Sequence, residues 1–400
     1  RIGARRKASP FLPHLKGGVS WRKLMKIRRY IEEELRFFLK KKIILLSGPR
    51  QVGKTFLTKY ALGSNYQYLN FDDEDDRAII FERSWSRDHE VIIFDELHKM
   101  DGWKTWLKAI YDKEGITPNI IVTGSVRMDV FKKGGDSLAG RHVQMRLFPL
   151  SVAELKENGL QDANSLDRLM SLGGYPEPFL ENDLRLSKVW RKNHLERVIR
   201  EDLLDLEKVN QLKKIEILIQ LLSERVGSLI SYASLARDLE TSSHTIKHWL
   251  QILEDLFVIF KVAPMSKDIS KSIIKSSKYY FYDIGRLRTG DGEKLENLVA
   301  LHLLKRNQFL EDTQGETRSL GFIRDKLKRE VDFVTKKEGD IEYLIEVKNS
   351  DDSLSRSLKY FTDHINPKKS LQIVRNLKEP KDYAQIKVRS VINFLSELEC

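Results

Sequence analysis

The sequence predicts an α/β protein: a parallel-sheet domain first, a helical stretch next, and a second mixed α/β domain last. Within residues 1–150, strand-like runs such as "KKIILLSG", "YQYLNFDD", "EVIIFDE", "PNIIVTGS" and "HVQMRLF" alternate with helix-length segments. That alternation is the pattern of a parallel sheet covered on both faces. From 151 to about 260 the pattern turns helical, and beyond 278 strand-like runs return around one long amphipathic run, "EKLENLVALHLLKRN". The expected units are a basic arm at 1–24, a core at 25–150, a helical segment at 151–264 and a C-terminal domain at 265–400.

Composition bounds the class. The chain has 400 residues, 41% of them hydrophobic, enough for more than one core. No run of 18 apolar residues is present, so no membrane span is expected. The basic N-terminus is not followed by an apolar stretch, so no signal peptide and a cytoplasmic location are expected. The single cysteine, Cys400, excludes a disulfide framework and a cysteine-based zinc site. The net charge of +12 is local: residues 1–50 hold 15 Lys/Arg against 3 Asp/Glu, and the other 350 balance at 55 each. The arm is either a nucleic-acid contact or an unstructured extension, with Met25 as an alternative start that would remove seven of its cations.

The first element reads as a helix over 21–40, with Leu24, Ile27, Ile31, Leu35 and Phe38 on one face. A buried strand follows and stops at a glycine loop. Gly48-Pro49-Arg50-Gln51-Val52-Gly53-Lys54-Thr55 fits the Walker A pattern G-x-x-x-x-G-K-[ST]. The two glycines let backbone N–H groups turn inward toward phosphate oxygens, and the helix that follows adds its positive end. Lys54 is placed to contact the β- and γ-phosphates of ATP, and Thr55 to ligate Mg²⁺. Four apolar residues then two carboxylates, "VIIFDE", match a Walker B motif, with Asp95 for the metal and Glu96 to polarise the attacking water. Thr123 and Ser125 in "IIVTGS" are placed to sense the γ-phosphate or orient water, or else simply close a turn. Arg141 in "SLAGRH" is a candidate arginine finger for a neighbouring subunit, or a structural ion pair. As a finger it implies a homo-oligomeric ring, with a hexamer expected.

"GPRQVGKT", "FDE", "VTGS" and "SLAGR", followed by "GGYP", resemble a widespread prokaryotic family of AAA-type P-loop ATPases fused to a C-terminal domain long of unknown function. The resemblance covers residues 25–400. It implies an AAA-type ATPase core, a winged-helix middle segment and a restriction-endonuclease-like C-terminal fold.

Residues 229–262 have a helix-turn-helix cadence of their own: Leu235, Ala236 and Leu239, a polar "ETSSH" turn, then Ile246, Trp249, Leu250, Leu253 and Leu256, and a β-like "FVIFKV". This describes a winged helix. Its second helix is available for DNA contact through Ser243, His244, Thr245, Lys247 and His248, but one lysine and no arginine suit protein packing better. His244 and His248 are spaced i,i+4, and no third metal ligand lies near them in sequence.

In "REVDFVTKKEGDIEYLIEVKNS", Asp332 is expected to end a short strand, followed by a turn and a second strand with Glu346 and Lys348 on one face. Paired strands bring Asp332 toward Glu346, and Glu296 on the preceding helix adds a third acid. The set resembles the D…(E)xK site of restriction-endonuclease-like nucleases. It implies Mg²⁺ or Mn²⁺ on Glu296, Asp332 and Glu346, with Lys348 acting on water and phosphate. Arg356 and Lys359 stand beyond it as a possible phosphate contact or a solvated helix face. The sequence thus predicts an ATP-hydrolysing protein that acts on DNA through a metal-dependent C-terminal site. The alternative is an ATP-driven binding switch whose C-terminal fold is inert.

Overall fold

The computed structural model describes residues 27–60, 63, 65–115, 117–128, 138–202, 211–265 and 276–398. The expected basic arm, Met25 and Cys400 lie outside them.

Five strands form the first sheet: β1 (Ile43–Ser47), β2 (Tyr66–Asn70), β3 (Val91–Asp95), β4 (Asn119–Gly124) and β5 (His142–Arg146). Their order is β2-β3-β4-β1-β5 and every pairing is parallel. β1 and β3 are buried at all five positions, the pattern of strands covered on both faces. Alternate residues feed two cores. Ile44, Leu46, Ile93 and Ile121 face one, and Ile43, Leu45, Ile92, Phe94, Ile120 and Val122 face the other.

The helices of this part are α1 (Glu32–Leu39), α2 (Lys54–Tyr60), α3 (Glu74–Glu82) and α4 (Trp103–Glu114). Helix α1 begins at Glu32 and residues 27–29 are irregular, with Arg29 donating to a buried carboxylate, Glu154; residues 21–26 of the expected helix lie outside the described residues.

Next come α5 (Val152–Glu157), α6 (Ser165–Leu172), α7 (Pro176–Glu181), α8 (Leu184–Arg197), α9 (Leu212–Glu224), α10 (Tyr232–Asp238) and α11 (Ser243–Asp255). Helix α5 opens with a capping box between Ser151 and Glu154. Helices α10 and α11 are the expected helix-turn-helix, with Ile246, Trp249, Leu250 and Leu253 inward.

The second sheet holds eight strands in the order β12-β13-β11-β10-β9-β8-β6-β7. They are β6 (Ile259–Pro264), β7 (Lys278–Phe281), β8 (Arg318–Arg324), β9 (Glu330–Lys337), β10 (Asp340–Lys348), β11 (Lys369–Val374), β12 (Lys381–Tyr383) and β13 (Ile386–Ser390). The wing strand β6 pairs with both β7 and β8, so the boundary drawn after residue 264 passes between two strands of one sheet. Helix α12 (Asp291–Gln314) crosses this sheet, α13 (Arg356–Ile365) follows β10, and α14 (Val391–Ser396) is the last element of the described residues. The chain passes from the strand β13 directly into the helix α14 at Ser390.

One apolar core joins these parts. It runs from Ile44 and Leu46 of the first sheet through Trp249 of the helical segment to Phe333 and Ile345 of the second sheet. Helix α12 has 24 residues, about 36 Å. Its Lys305 is ion-paired with Glu154, which also holds Arg29, all three buried. Burial works to raise the Glu154 pKa, but Arg29 and Lys305 overcome it and hold the carboxyl at about 2. Near its far end, Asp312 and Glu311 grip Arg146 of β5. No helix among the described residues is long and apolar enough to cross a membrane.

Candidate functional site

The phosphate loop leaves the C-terminal end of β1 and enters α2. Gly48 has φ +153° and a Cβ there would lie 2.3 Å from the Leu147 carbonyl oxygen, a backbone atom that cannot yield. Gly53 has φ +104°, also glycine territory. The loop is fastened from outside: Arg29 donates to the Val52 carbonyl at 2.8 Å, and His194 Nε2 of α8 lies 3.1 Å from the Arg50 carbonyl oxygen. Burial and the nearby Arg286 push the His194 pKa down to about 4, so the ring is neutral near pH 7. Inside the loop, the Lys54 ammonium donates to the carbonyls of Gly48 at 2.8 Å and Pro49 at 2.9 Å.

Parallel register sets the opposite wall. Leu46 aligns with Thr123, and Asp95 aligns with both Thr123 and Asn70, so the strand ends meet at one edge of the sheet. Asp95 accepts three hydroxyls: Thr55 at 3.1 Å, Tyr68 at 2.5 Å, and Thr123. Thr123 thus holds the carboxylate, a more direct contact than the sensing role expected of it. Thr55 and Asp95 are hard oxygen donors side by side, which fits Mg²⁺. Glu96 adopts the left-handed conformation, φ 56°, uncommon for a residue with a Cβ. Its carboxylate accepts from Ser125 at 3.4 Å and lies 3.6 Å from His98 Nε2. Burial, with Lys99 and Lys54 alongside, lowers His98 to about 4, so it meets Glu96 as a neutral ring.

Arg141 is not brought to this edge. Its carbonyl bonds the Ile43 N–H at the start of β1, the opposite end of the sheet from the loop, and its guanidinium pairs with Asp112 at 2.8 Å.

The second cluster lies in the second sheet. Asp332 sits near the start of β9, not at a strand end as expected, since β9 runs on to Lys337. The β9–β10 hairpin has the expected antiparallel pairing, and Asp332 accepts the Val347 N–H at 2.8 Å. Glu346 and Lys348 share a face of β10, with Lys348 Nζ 2.8 Å from Glu346 Oε1. Ser355 donates to the same oxygen at 3.2 Å, while the buried Oε2 has no hydrogen-bond partner.

Burial first, then the charge of Glu346, raises Asp332 to about 7. Burial and the charge of Asp332 raise Glu296 to about 7. Glu296 is otherwise committed: it accepts from Lys278 at 3.1 Å and the Tyr280 hydroxyl at 2.6 Å. Lys278, almost wholly buried, also pairs with Glu330 at 2.7 Å. Among the described residues no three His, Cys, Asp or Glu side chains form a metal-ready group. Of the three acids expected to hold a metal, Glu296 is paired with Lys278, while Glu346 keeps one oxygen without a hydrogen bond. His244 and His248 are exposed on α11, and Lys359 of α13 pairs with Asp363.

Tyr68, His98, His194, Lys278 and the Arg29–Glu154–Lys305 network escaped the sequence reading. Tyr68 carried the faintest signal, two residues before the end of a strand neighbouring "VIIFDE". His98 stands two residues after Glu96 and was passed over; the rest are remote in sequence from the groups they serve.

A parallel sheet with a glycine loop at its C-terminal edge, and a lysine, threonine and aspartate meeting there, defines a P-loop nucleotide-binding domain. Residues 40–156 match the family model described as an AAA domain. Residues 163–293 and 291–394 match two further models, each described as a domain of unknown function, DUF8612 and DUF4143.

Among curated proteins, the chain is similar to an uncharacterized protein of Haemophilus influenzae, 25% identical over 79% of this chain and 84% of that one. An uncharacterized Methanocaldococcus jannaschii protein is 26% identical over 77% of this chain and 74% of its own. An uncharacterized Mycobacterium tuberculosis protein is 27% identical over 61% of this chain, which spans only 55% of that relative. Among solved structures, a Saccharomyces cerevisiae Hsp104–ADP complex overlaps at TM-score 0.29 and 14% identity, over 60% of this chain and 41% of that one. Drosophila ORC bound to DNA overlaps at 0.26 and 12%, over 70% and 94%. Overlaps this shallow carry no functional weight.

Proposed function

We propose that this protein hydrolyses ATP at the loop of Gly48–Thr55 and couples that cycle to DNA held at the C-terminal carboxylate site. The observation that carries the first half is the meeting of Lys54, Thr55, Asp95 and Glu96 at one sheet edge. Loop N–H groups and Lys54 bind the β- and γ-phosphates. Thr55 and Asp95 would hold Mg²⁺, which supplies charge neutralisation between those phosphates. Glu96 orients a water and takes its proton, with Ser125 and neutral His98 fixing the carboxylate. Ring assembly, as a hexamer with Arg141 reaching a neighbour's nucleotide, belongs to the same reading. Release from Asp112 would be required first. The expected result is that Lys54→Ala lowers ATP turnover by at least about a hundredfold with folding intact, read by phosphate release. Unchanged turnover would overturn the assignment.

The C-terminal half rests on Asp332, Glu346 and Lys348 sharing one end of the β9–β10 hairpin. Asp332 and Glu346 would hold Mg²⁺ or Mn²⁺, which would polarise a scissile phosphate, and Lys348 would stabilise its charge. End-labelled single-stranded, duplex and branched DNA, incubated with either metal beside Asp332→Ala protein, tests this. Cleavage lost in the variant supports a nuclease. The second reading, an ATP-driven binder with an inert C-terminal fold, is favoured by Lys278, an internal cation already seated among the acids. Retarded but uncut DNA would select it.

A further inference from the structure

A cleft of about 520 Å³ opens between α8, α9 and the turn that leads into α12. Five cations line it, Lys188, Arg191, Arg286, Arg288 and Lys294, against one acid, Glu216. Arg191 is committed elsewhere: its guanidinium caps α6 through the Leu172 carbonyl at 2.6 Å and pairs with the buried Asp283 at 3.1 Å. Gly285 makes room for it, since a Cβ there would fall 1.7 Å from Arg191 Nη2. Arg286 shares the same Asp283 only at 3.9 Å. Lys188, Arg288 and Lys294 have no ion-pair partner among the described residues. With Glu216 and Asp283 counted, the cleft keeps an excess of three positive charges. Burial, opposed by Asp283 and aided by Arg191 and Arg288, lowers the Arg286 pKa.

We propose that this cleft binds a small polyphosphorylated anion through its pyrophosphate group. Forked guanidiniums and ammonium groups match phosphate oxygens, and three excess charges match a pyrophosphate. The volume exceeds what one phosphate fills. The wall has no aromatic ring to stack a base, so recognition falls on the phosphates, whether free or carried by a nucleotide. The cleft is separate from the phosphate loop. The two lie on different faces of α8, whose Trp190 and His194 turn toward Tyr175 and the loop while Lys188 and Arg191 line the cleft.

The test silences the loop and leaves the cleft. Inorganic pyrophosphate is titrated calorimetrically, without magnesium, into full-length Lys54→Ala protein. Parallel titrations use the same protein carrying Lys188→Gln with Arg288→Gln, or Glu216→Gln. One pyrophosphate per chain is expected, about tenfold weaker in the double variant (about 1.4 kcal/mol) and tighter in Glu216→Gln. The opposite response of Glu216→Gln keeps the test open if the double variant misfolds. ADP binding with the same dependence would show that a nucleotide can supply the group; pyrophosphate alone would point to the free anion. Equal affinity in all three proteins would overturn the proposal. So would the absence of pyrophosphate binding, or binding only of an oligonucleotide probe.

Discussion

At the phosphate loop one carboxylate, Asp95, is surrounded by three hydroxyls, from Thr55, Tyr68 and Thr123. In the second sheet, Glu296, Asp332 and Glu346 face one another with Lys278 and Lys348 between them. The first arrangement is a set of neutral donors, and it spends no charge. The second balances like charges with one buried lysine, Lys278, and one half-buried, Lys348, so every member depends on the others. A polar cage orients its carboxylate. A charge cluster stores an unfavourable interaction that a proton or a cation relieves.

The largest expected effect separates the two lysines. Lys278→Met leaves Glu296 and Glu330 without their buried cation, and unfolding in urea should show a loss of about 3–5 kcal/mol. Lys54→Ala removes bonds to two loop carbonyls and should cost about 1 kcal/mol while abolishing ATP turnover. If Lys278→Met is neutral, the C-terminal acids are not a stressed cluster and the contrast fails.

The next effect is a pH dependence. Asp332 titrates near 7 in the fold against an ordinary value near 4. Between those values the folded chain keeps a proton the unfolded chain has released, so stability falls as pH rises through the window. Asp332→Asn removes that penalty. Its stability should exceed that of wild type at pH 8 by up to about 4 kcal/mol, seen as a higher Tm, and match it below about pH 4. Adding Mg²⁺ at pH 8 should narrow the gap by stabilising wild type. A gap that does not change with pH would mean the acids do not oppose one another.

The smallest effect tests the cage. Tyr68→Phe removes one of three hydroxyls from Asp95 and should lower ATP turnover a few-fold, about 1 kcal/mol, with a higher Mg²⁺ requirement. A loss as large as that of Lys54→Ala would make the tyrosine a member of the reacting set.

Much of this could be read along the chain. "GPRQVGKT" after "IILLS", and "VIIFD" before Glu96, announce a loop and an acid at strand ends because parallel strands covered on both faces are continuous apolar runs. The helix-turn-helix at 232–255 and the β9–β10 hairpin were equally local. Other features were not. Arg29, just before α1, answers a carboxylate 125 positions away. Glu296 looked like a free metal ligand until Lys278, from a strand edge, took it.

By itself the sequence determined the elements and the chemistry carried by contiguous motifs, since hydrophobic period and glycine placement act over a few residues. Tertiary structure alone decided who partners whom. It made the wing and the C-terminal strands one sheet, set α12 between Glu154 and the acid cluster, and gathered the cations of the α8–α9 cleft from segments about 100 residues apart. The physical reason is that ion pairs and like-charge clusters depend on distance in space, and only the packed core converts separation along the chain into contact.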